Sequence, residues 1–222
     1  MAKNLLIITQ KVDETDDLLG FFVSWIAQFA KHFDRVSVIT LAKGEYDLPA
    51  NVSVYSLGKE RGSSKISRFF TFYSLLFSLV PRSFSVFAHM SPIFALAVWP
   101  FTFLFHKRLV LWYLHRSNTL RLRLAVRLSD ALVTADAASL TIKDQKIISV
   151  GHGIDIQRFA VTRNWDQTSG RPLRILSVGR LSPIKDFGTL VKAAALLRER
   201  GIPIDVRIVG KPVMSGDYAY EK

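Results

Sequence analysis

The chain has 222 residues, enough for one large domain or for one domain and part of another. Hydrophobic residues make up 49% of the chain and aromatic residues 12%, so the composition supports a buried core and excludes disorder of the whole chain. There is no cysteine, which excludes disulfides, thiolate metal sites and a cysteine nucleophile, and the formal net charge of +12 favours anionic partners.

The first part of the chain alternates between strand-like and helix-like segments. A short apolar run over 5–9 is typical of a strand covered on both faces, and it is too short for a secretory signal peptide. The pattern then predicts, in chain order, a helix over 20–33, strands over 36–40 and 52–56, a helix over 67–80, a strand over 84–89, a helix over 92–105, a strand over 109–114, a helix with Leu120, Leu124 and Leu128 on one face, and strands over 131–134 and 146–150. This order predicts a doubly wound parallel-sheet α/β domain over 1–161.

The pattern changes after Gly151. A polar stretch over 162–172 predicts an interdomain linker. A second Rossmann-like unit follows, with a strand over 173–178, a helix over 187–200 and a strand over 204–209. One βαβ motif cannot cover both faces of its sheet, so we expect 173–222 to be the beginning of an incomplete, truncated domain.

Two hydrophobic stretches, over 69–80 and 92–105, are candidates for membrane spans. Both are shorter than the roughly 20 residues that a spanning helix needs, and Pro100 interrupts the second. The sequence therefore predicts core helices, or a helix that lies on a membrane surface, rather than transmembrane segments.

Positive charge is concentrated in the middle of the chain. Between Arg61 and Ser129 there are ten lysines and arginines and no acidic residue. Such a region attracts phosphates or anionic lipid head groups, although a solvated basic surface without a specific partner is an alternative. Arg61, Lys65 and Arg68 precede an aromatic segment over 69–73, a combination suited to an anionic membrane surface. A nucleic-acid partner is disfavoured because no recognition motif accompanies these residues.

The strongest motif lies over 177–190, Ser-Val-Gly-Arg-Leu-Ser-Pro-Ile-Lys-Asp-Phe-Gly-Thr-Leu. The predicted strand ends at Gly179, and Arg180 follows at its carboxyl end, where open α/β sheets bind ligands. Lys185 comes five residues later, directly before a helix whose N-terminus also attracts anions. The two cations can converge on a diphosphate, to which arginine offers a planar fork and lysine a point charge.

This motif resembles the donor-binding segment of the retaining glycosyltransferases of family four, which have the two-domain GT-B architecture. In that family an arginine and a lysine in the pattern Val-Gly-Arg-Leu-x-x-x-Lys-Asp/Gly bind the diphosphate of the donor. Arg180 and Lys185 occupy these two positions. The resemblance implies that both side chains contact the donor diphosphate.

Two shorter segments are also similar to the family. The segment 151–155 resembles its Asn-Gly-Val-Asp segment, with His152 in place of the asparagine, which implies that Gly153 and Asp155 lie near the interdomain cleft; a plain turn is the alternative. We expect Gly153 to supply a turn with positive φ. Gly20 is similar to the glycine of the loop that faces the donor phosphates.

Two histidines follow predicted strands. His115 comes after the strand over 109–114, where the family has an active-site histidine, and this implies a catalytic role. His89 ends the preceding strand and is a possible cleft contact. A histidine at a strand end is also often a polar cap, so both interpretations stay open. The family's Glu-x7-Glu motif is missing, since Glu199 and Glu221 are the glutamates that follow residue 172 and do not have this spacing.

The resemblance implies a cytoplasmic hexosyltransferase, peripheral at the inner face of the membrane. It would transfer a sugar from a nucleoside-diphosphate sugar to a glycan or lipid-linked acceptor in cell-envelope or polysaccharide biosynthesis. We expect no cofactor and no metal. Two alternatives are a sugar-nucleotide epimerase of the same architecture and a non-catalytic module that binds an acceptor or a membrane.

Overall fold

The structure is a computed structural model, and it describes residues 2–154, 156–157, 160–162, 172–212 and 216–217. The chain divides into two compact units, Met1–Ile154 and Asp155–Lys222. The predicted linker over 162–172 lies outside the described residues except for Thr162 and Pro172.

The described part of the first unit alternates strands and helices as the sequence predicts. Its elements are β1 (Asn4–Val12), α1 (Phe21–Ala30), β2 (Arg35–Lys43), β3 (Val52–Ser56), α2 (Lys65–Leu79), β4 (Ser85–His89), α3 (Pro92–Leu104), β5 (Arg108–Trp112), α4 (Leu120–Leu128), β6 (Ala131–Thr134) and β7 (Ile147–Ser149). The strands form one parallel sheet in the order β3-β2-β1-β4-β5-β6-β7. The doubly wound parallel sheet is confirmed, and its strand order reverses between β1 and β4.

Alternate residues of β1 supply two separate hydrophobic cores. Leu6 and Ile8 pack with α2, α3 and α4 on one face of the sheet. Leu5 and Ile7 pack with α1 on the other face. A strand that is buried on both faces must be apolar at successive positions, and this explains the continuous apolar run.

Two details of the predicted elements are wrong. β1 continues to Val12, because its ladder with β2 extends through polar Lys11 beyond the apolar run. The buried face of α4 carries Leu122, Ala125 and Val126, whereas Leu120 is 81% exposed. Leucines spaced by four drift around a 3.6-residue helix, while the observed set has the i, i+3, i+4 spacing of one compact face and packs towards α3.

The described part of the second unit contains β8 (Leu173–Val178), α5 (Phe187–Glu199) and β9 (Ile204–Val209). The two strands are parallel and pair directly, from Leu173 opposite Ile204 to Val178 opposite Val209. Apolar side chains remain exposed on this small sheet, at Leu173, Leu176 and Val178. Among the described residues of the whole chain, no helix is both long and apolar enough to span a membrane.

Candidate functional site

The carboxyl edge of the seven-stranded sheet gathers most of the predicted site residues of the first unit. All strands are parallel, so the loops that follow β1, β4, β5 and β6 leave the sheet at the same edge. The strand order reverses between β1 and β4, and such sheets commonly bind ligands at this point of reversal. Gly20 follows β1, His89 ends β4 and His115 follows β5.

The loop after β1 is held by an ionic network of its own. Lys11 Nζ lies 2.8 Å from Asp13 Oδ2 and 2.8 Å from Asp16 Oδ2. Thr15 donates to Asp13 Oδ1 from both its amide and its hydroxyl group. Hydrogen bonds from Lys11, which have the larger effect, and from Thr15 lower the pKa of Asp13 to about 2. Asp13 is therefore an anion at neutral pH, and its contacts tie the acidic loop to Lys11 and Thr15.

Gly20 lies at the N-terminal end of α1, where the loop leaves no room for a side chain. A Cβ atom there would lie 2.6 Å from the carbonyl oxygen atoms of both Glu14 and Asp16. Asp16 Oδ1 already accepts hydrogen bonds from the amides of Leu18 and Leu19, directly before the helix. Internal packing thus accounts for a glycine at this position, and the expected contact with a donor diphosphate stays a prediction.

His89 is buried beneath the carboxyl edge of the sheet. Its imidazole is 0% exposed, and its Nδ1 lies 2.9 Å from the Thr9 hydroxyl oxygen on β1, across the strand reversal. The ring stacks on Phe22, with 3.6 Å between the ring centres. Burial lowers the pKa of His89 to about 3, so it is neutral at physiological pH. No surface of this ring is accessible in this arrangement, and the possible cleft contact of His89 stays a prediction.

Aromatic rings surround His89 and connect it to the end of the first unit. Trp25 donates from Nε1 to the carbonyl oxygen of Gly153 at 3.0 Å, and its ring packs edge-on against Trp112. The ring of His152 lies 5.7 Å from the ring of Trp25, centre to centre. The segment after β7 therefore packs against α1 at the carboxyl edge of the sheet.

The glycines of this segment differ from the prediction. The residue with positive φ is Gly151, at 75°, whereas Gly153 does not adopt this conformation. A Cβ atom on Gly153 would instead lie 3.3 Å from Trp25 Nε1, so this glycine permits the close approach of the indole. The cleft contact expected for Gly153 stays a prediction, and Asp155 lies outside the described residues.

An apolar groove of about 560 Å³ runs along the sheet face beside α1. Its lining residues include Trp25, Phe29, Phe87, Val110 and Trp112. The lining is almost entirely apolar, so the groove is a poor environment for a phosphate or a sugar.

His115 is exposed in the loop between β5 and α4. Its ring lies 5.5 Å from the ring of Tyr113, and its carbonyl oxygen accepts a hydrogen bond from the amide of Ser117. It is open to solvent at the expected edge of the sheet. Its catalytic role stays a prediction.

The second unit places its two predicted cations around the end of β8. Arg180 directly follows Gly179, and Lys185 ends a short 3₁₀ turn over Pro183–Lys185. The Lys185 Cε atom lies 3.6 Å from the position that a Cβ atom of Gly179 would occupy. Both side chains therefore flank the same glycine, and both reach solvent: Lys185 is exposed and the side chain of Arg180 is 31% exposed.

The helix that follows begins with a carboxylate. Asp186 adopts a left-handed conformation, with φ of 47°, and caps α5 by accepting a hydrogen bond from the amide of Thr189. Its other oxygen accepts from the Thr189 hydroxyl group at 2.7 Å. This cap occupies part of the positive end of α5, and the side chains of Arg180 and Lys185 supply further positive charge at this end of β8.

Two residues of this region were missed by the sequence interpretation. A Cβ atom on Gly210 would lie 1.8 Å from the carbonyl oxygen of Gly179. The ends of β8 and β9 are therefore so close that position 210 has no room for a side chain. The repeated Val-Gly at the ends of β8 and β9 is a signal that could have revealed it. The second is Asp217, whose Oδ2 lies 3.2 Å from Arg180 Nε. Nothing in the local sequence distinguishes this aspartate.

The described residues contain no group of three or more histidines, aspartates or glutamates that could hold a metal ion. The carboxyl edges of both units instead offer aromatic rings, a buried neutral imidazole and cations.

Solved structures with the same architecture exist. Anabaena Alr3699/HepE, in complex with UDP, superimposes with a TM-score of 0.69 at 17% sequence identity, and the match covers 98% of this chain and 63% of HepE. The lipopolysaccharide outer core galactosyltransferase WaaB matches with a TM-score of 0.55 and 14% identity over 97% of this chain and 70% of WaaB. The fold is of the GT-B type. This chain thus spans less than two thirds of the length of HepE.

The GT-B fold is not restricted to glycosyltransferases. The UDP-GlcNAc 2-epimerase from Methanocaldococcus jannaschii matches with a TM-score of 0.51 and 10% identity, covering 98% of this chain and 76% of the epimerase. No protein-family model and no curated protein matches the sequence. At these identities the likeness shows the fold, and the activity must be argued from the site.

Proposed function

We propose that the chain is part of a glycosyltransferase that uses a nucleoside-diphosphate sugar, with Arg180 and Lys185 as the diphosphate-binding residues. The observation that carries this proposal is their convergence on Gly179 at the carboxyl end of β8. The Lys185 side chain folds back over the glycine, so an ammonium group and a guanidinium group lie at one strand end. Such a pair matches the charge and the size of a diphosphate.

The same pair would assist the transfer step. When the bond between the sugar and the diphosphate breaks, negative charge accumulates on the leaving β-phosphate. Fixed cations stabilise that charge more than they stabilise the intact donor, and this difference accelerates the reaction. Loss of one such contact is expected to lower the turnover rate by about 10²–10³-fold. Retention of the anomeric configuration and membership of family four are part of the proposal and come from the motif over 177–190.

Binding of UDP to the 222-residue chain tests the proposal without requiring turnover. Isothermal titration calorimetry is expected to show binding to the wild type and a loss of at least tenfold in affinity for both Arg180→Ala and Lys185→Ala. Arg207→Ala and Lys192→Ala are matched controls, since both remove an exposed cation from the same unit. Equal weakening by all four variants would indicate a general charge effect and would refute the proposed site.

Transfer and epimerisation can be separated by their products. A transferase releases UDP in step with acceptor glycosylation, whereas an epimerase converts one UDP-sugar into another and leaves the nucleotide attached to a sugar. NMR of the products formed from a UDP-sugar by the whole protein, with and without an acceptor, distinguishes the two. A new UDP-sugar in the absence of acceptor would favour the epimerase.

A second proposal concerns the acceptor, which we infer to be a glycan or lipid-linked molecule at an anionic membrane. The supporting observation is an exposed apolar surface on α2 and α3, which are joined by ring contacts between Tyr73 and Phe101 and between Phe77 and Phe105. Its members are Ile66, Phe69, Phe70 and Phe77 on α2 and Phe103 and Leu104 on α3, and all of them are exposed. Large side chains seldom gather on a surface that faces only water.

The charge around this surface matches an anionic membrane. Lys65 and Arg68 lie on α2 beside Phe69, and Lys107 and Arg108 lie between the end of α3 and the start of β5. Basic side chains near the head groups each contribute about 1 kcal/mol to binding, while the aromatic side chains enter the interface. Peripheral attachment of this kind needs no spanning helix.

Co-sedimentation with vesicles tests this second proposal. Binding is expected to vesicles that contain phosphatidylglycerol, to weaken with salt, and to fall by roughly fivefold per charge in the Lys65→Gln and Arg68→Gln variants. Phe70→Ser is expected to weaken it as well, whereas Val191→Ser removes an exposed apolar side chain from α5 as a control. Equal binding to neutral phosphatidylcholine vesicles would contradict the electrostatic part.

A further inference from the structure

A buried carboxylate lies beside the arginine on which the proposed function depends. Asp217 Oδ2 is 3.2 Å from Arg180 Nε, and the side chain of Asp217 is 8% exposed whereas that of Arg180 is 31% exposed. The ion pair therefore joins an inner anion to a cation that reaches the surface. In a second ion pair of this unit, Arg207 lies 3.5 Å from Asp205, and both side chains are solvent-exposed, at 75% and 43%.

The contact involves the inner nitrogen of the guanidinium group. Arg180 Nε is itself buried and has no aligned hydrogen-bond acceptor among the described residues, so its contact with Asp217 is an ion pair rather than a well-directed hydrogen bond. The remaining N–H donors of an arginine belong to its two outer nitrogens, which form the fork that matches phosphate oxygens. A carboxylate at Nε can therefore fix the side chain without occupying both outer nitrogens.

We propose that Asp217 is a positioning residue that holds Arg180 through Nε and presents its outer nitrogens to the diphosphate. This inference rests on the proposed function, since it assumes that Arg180 binds the diphosphate. An unrestrained arginine must lose its rotamer freedom when it binds a ligand, and a side chain that is already held loses less. The preorganised fork binds the diphosphate more tightly for that reason.

The two effects of Asp217 on a diphosphate have opposite signs, and this makes the inference testable. Its negative charge repels the ligand, so charge alone predicts that Asp217→Asn binds UDP more tightly than the wild type. Positioning predicts the reverse. We expect Asp217→Asn to bind UDP about tenfold more weakly, the size of one lost charge-assisted contact.

The matched control is Asp205→Asn, which removes the same charge from the open pair in the same unit. It is expected to leave the affinity unchanged or to raise it slightly. A double-mutant cycle then separates positioning from damage to the fold. If Asp217 acts through Arg180, Asp217→Asn has no further effect on UDP affinity in the Arg180→Ala background.

Calorimetric titration of the 222-residue chain with UDP, with inorganic pyrophosphate as a second ligand, measures all these affinities. Unchanged or tighter binding by Asp217→Asn overturns the inference, and so does an equal loss in the Arg180→Ala background. NMR relaxation of the Arg180 side chain without ligand provides an independent measurement, because a guanidinium group held by Asp217 must gain rotamer mobility in Asp217→Asn. Absence of UDP binding by the wild type would refute the proposed function, while the NMR signal would still decide whether Asp217 holds Arg180.

Discussion

The two units place their candidate residues at equivalent positions, the carboxyl ends of parallel strands, but use them differently. In the first unit, His89 is buried under Phe22, and Gly20 is packed against the carbonyl groups of its own loop. In the second unit, Arg180 and Lys185 flank the end of β8 and reach solvent. Strand ends thus carry buried residues with a packing role in the first unit and solvent-accessible cations, which we propose bind a ligand, in the second.

The close approach of the two strand ends at Gly179 and Gly210 gives the largest expected effect. Gly210→Ala would place a methyl group 1.8 Å from the carbonyl oxygen of Gly179. Because backbone must move, we expect a loss of about 3 kcal/mol in the stability of this unit, together with weaker UDP binding. Hydrogen exchange of the β8 and β9 amides measures that stability.

Gly188→Ala is the control for this substitution. Its Cβ atom would meet Asp186 Oδ1 at an ordinary 3.8 Å, within helix α5. Alanine is expected to raise stability there by about 0.5 kcal/mol. Equal effects of the two substitutions would contradict the proposed packing of the strand ends.

Gly20→Ala tests whether this glycine serves packing or the ligand. We expect a loss of about 2 kcal/mol in the stability of the first unit, since the new methyl group meets two carbonyl oxygen atoms at 2.6 Å. Urea unfolding measures this loss, with Gln28→Ala on the exposed side of α1 as the control. If Gly20→Ala leaves stability intact and abolishes UDP binding, the first unit also contacts the diphosphate, and the contrast between the units fails.

The buried histidine predicts a pH dependence of stability. The pKa of His89 falls from 6.5 in the unfolded chain to about 3 in the folded one, so the unfolded state binds the proton first. The stabilisation is complete above pH 6.5 and is lost on acidification towards pH 3, by about 1.4 kcal/mol per pH unit.

His89→Phe is expected to remove this slope in urea unfolding between pH 4.5 and about 6.5. Asp13 does not interfere in that range, because its pKa shifts from 3.8 to about 2 and its contribution is lost only below pH 3.8. An unchanged slope in His89→Phe would mean that the imidazole is accessible, as a direct cleft contact requires.

The fold was predictable because buried parallel strands have a strong local signature. The apolar run of β1 and the motif over 177–190 are both short, continuous segments, so each can be recognised from local sequence alone. The buried face of α4 was mispredicted because both leucine and alanine can be buried in a helix. Packing against α3 decides which of these residues lie in the core.

The surroundings of the candidate residues were not predictable from local sequence. The partner of His89 is Thr9, 80 residues away, and only the pairing of β1 with β4 brings them together. Asp217 likewise meets Arg180 through the tertiary fold. A motif identified Arg180, but no motif could show what holds it.

The structure of the chain in complex with UDP tests the central proposal most directly. We predict that the β-phosphate oxygen atoms lie about 3 Å from the outer nitrogens of Arg180 and from Lys185 Nζ. A diphosphate bound elsewhere, with both of these cations left in solvent, would contradict it.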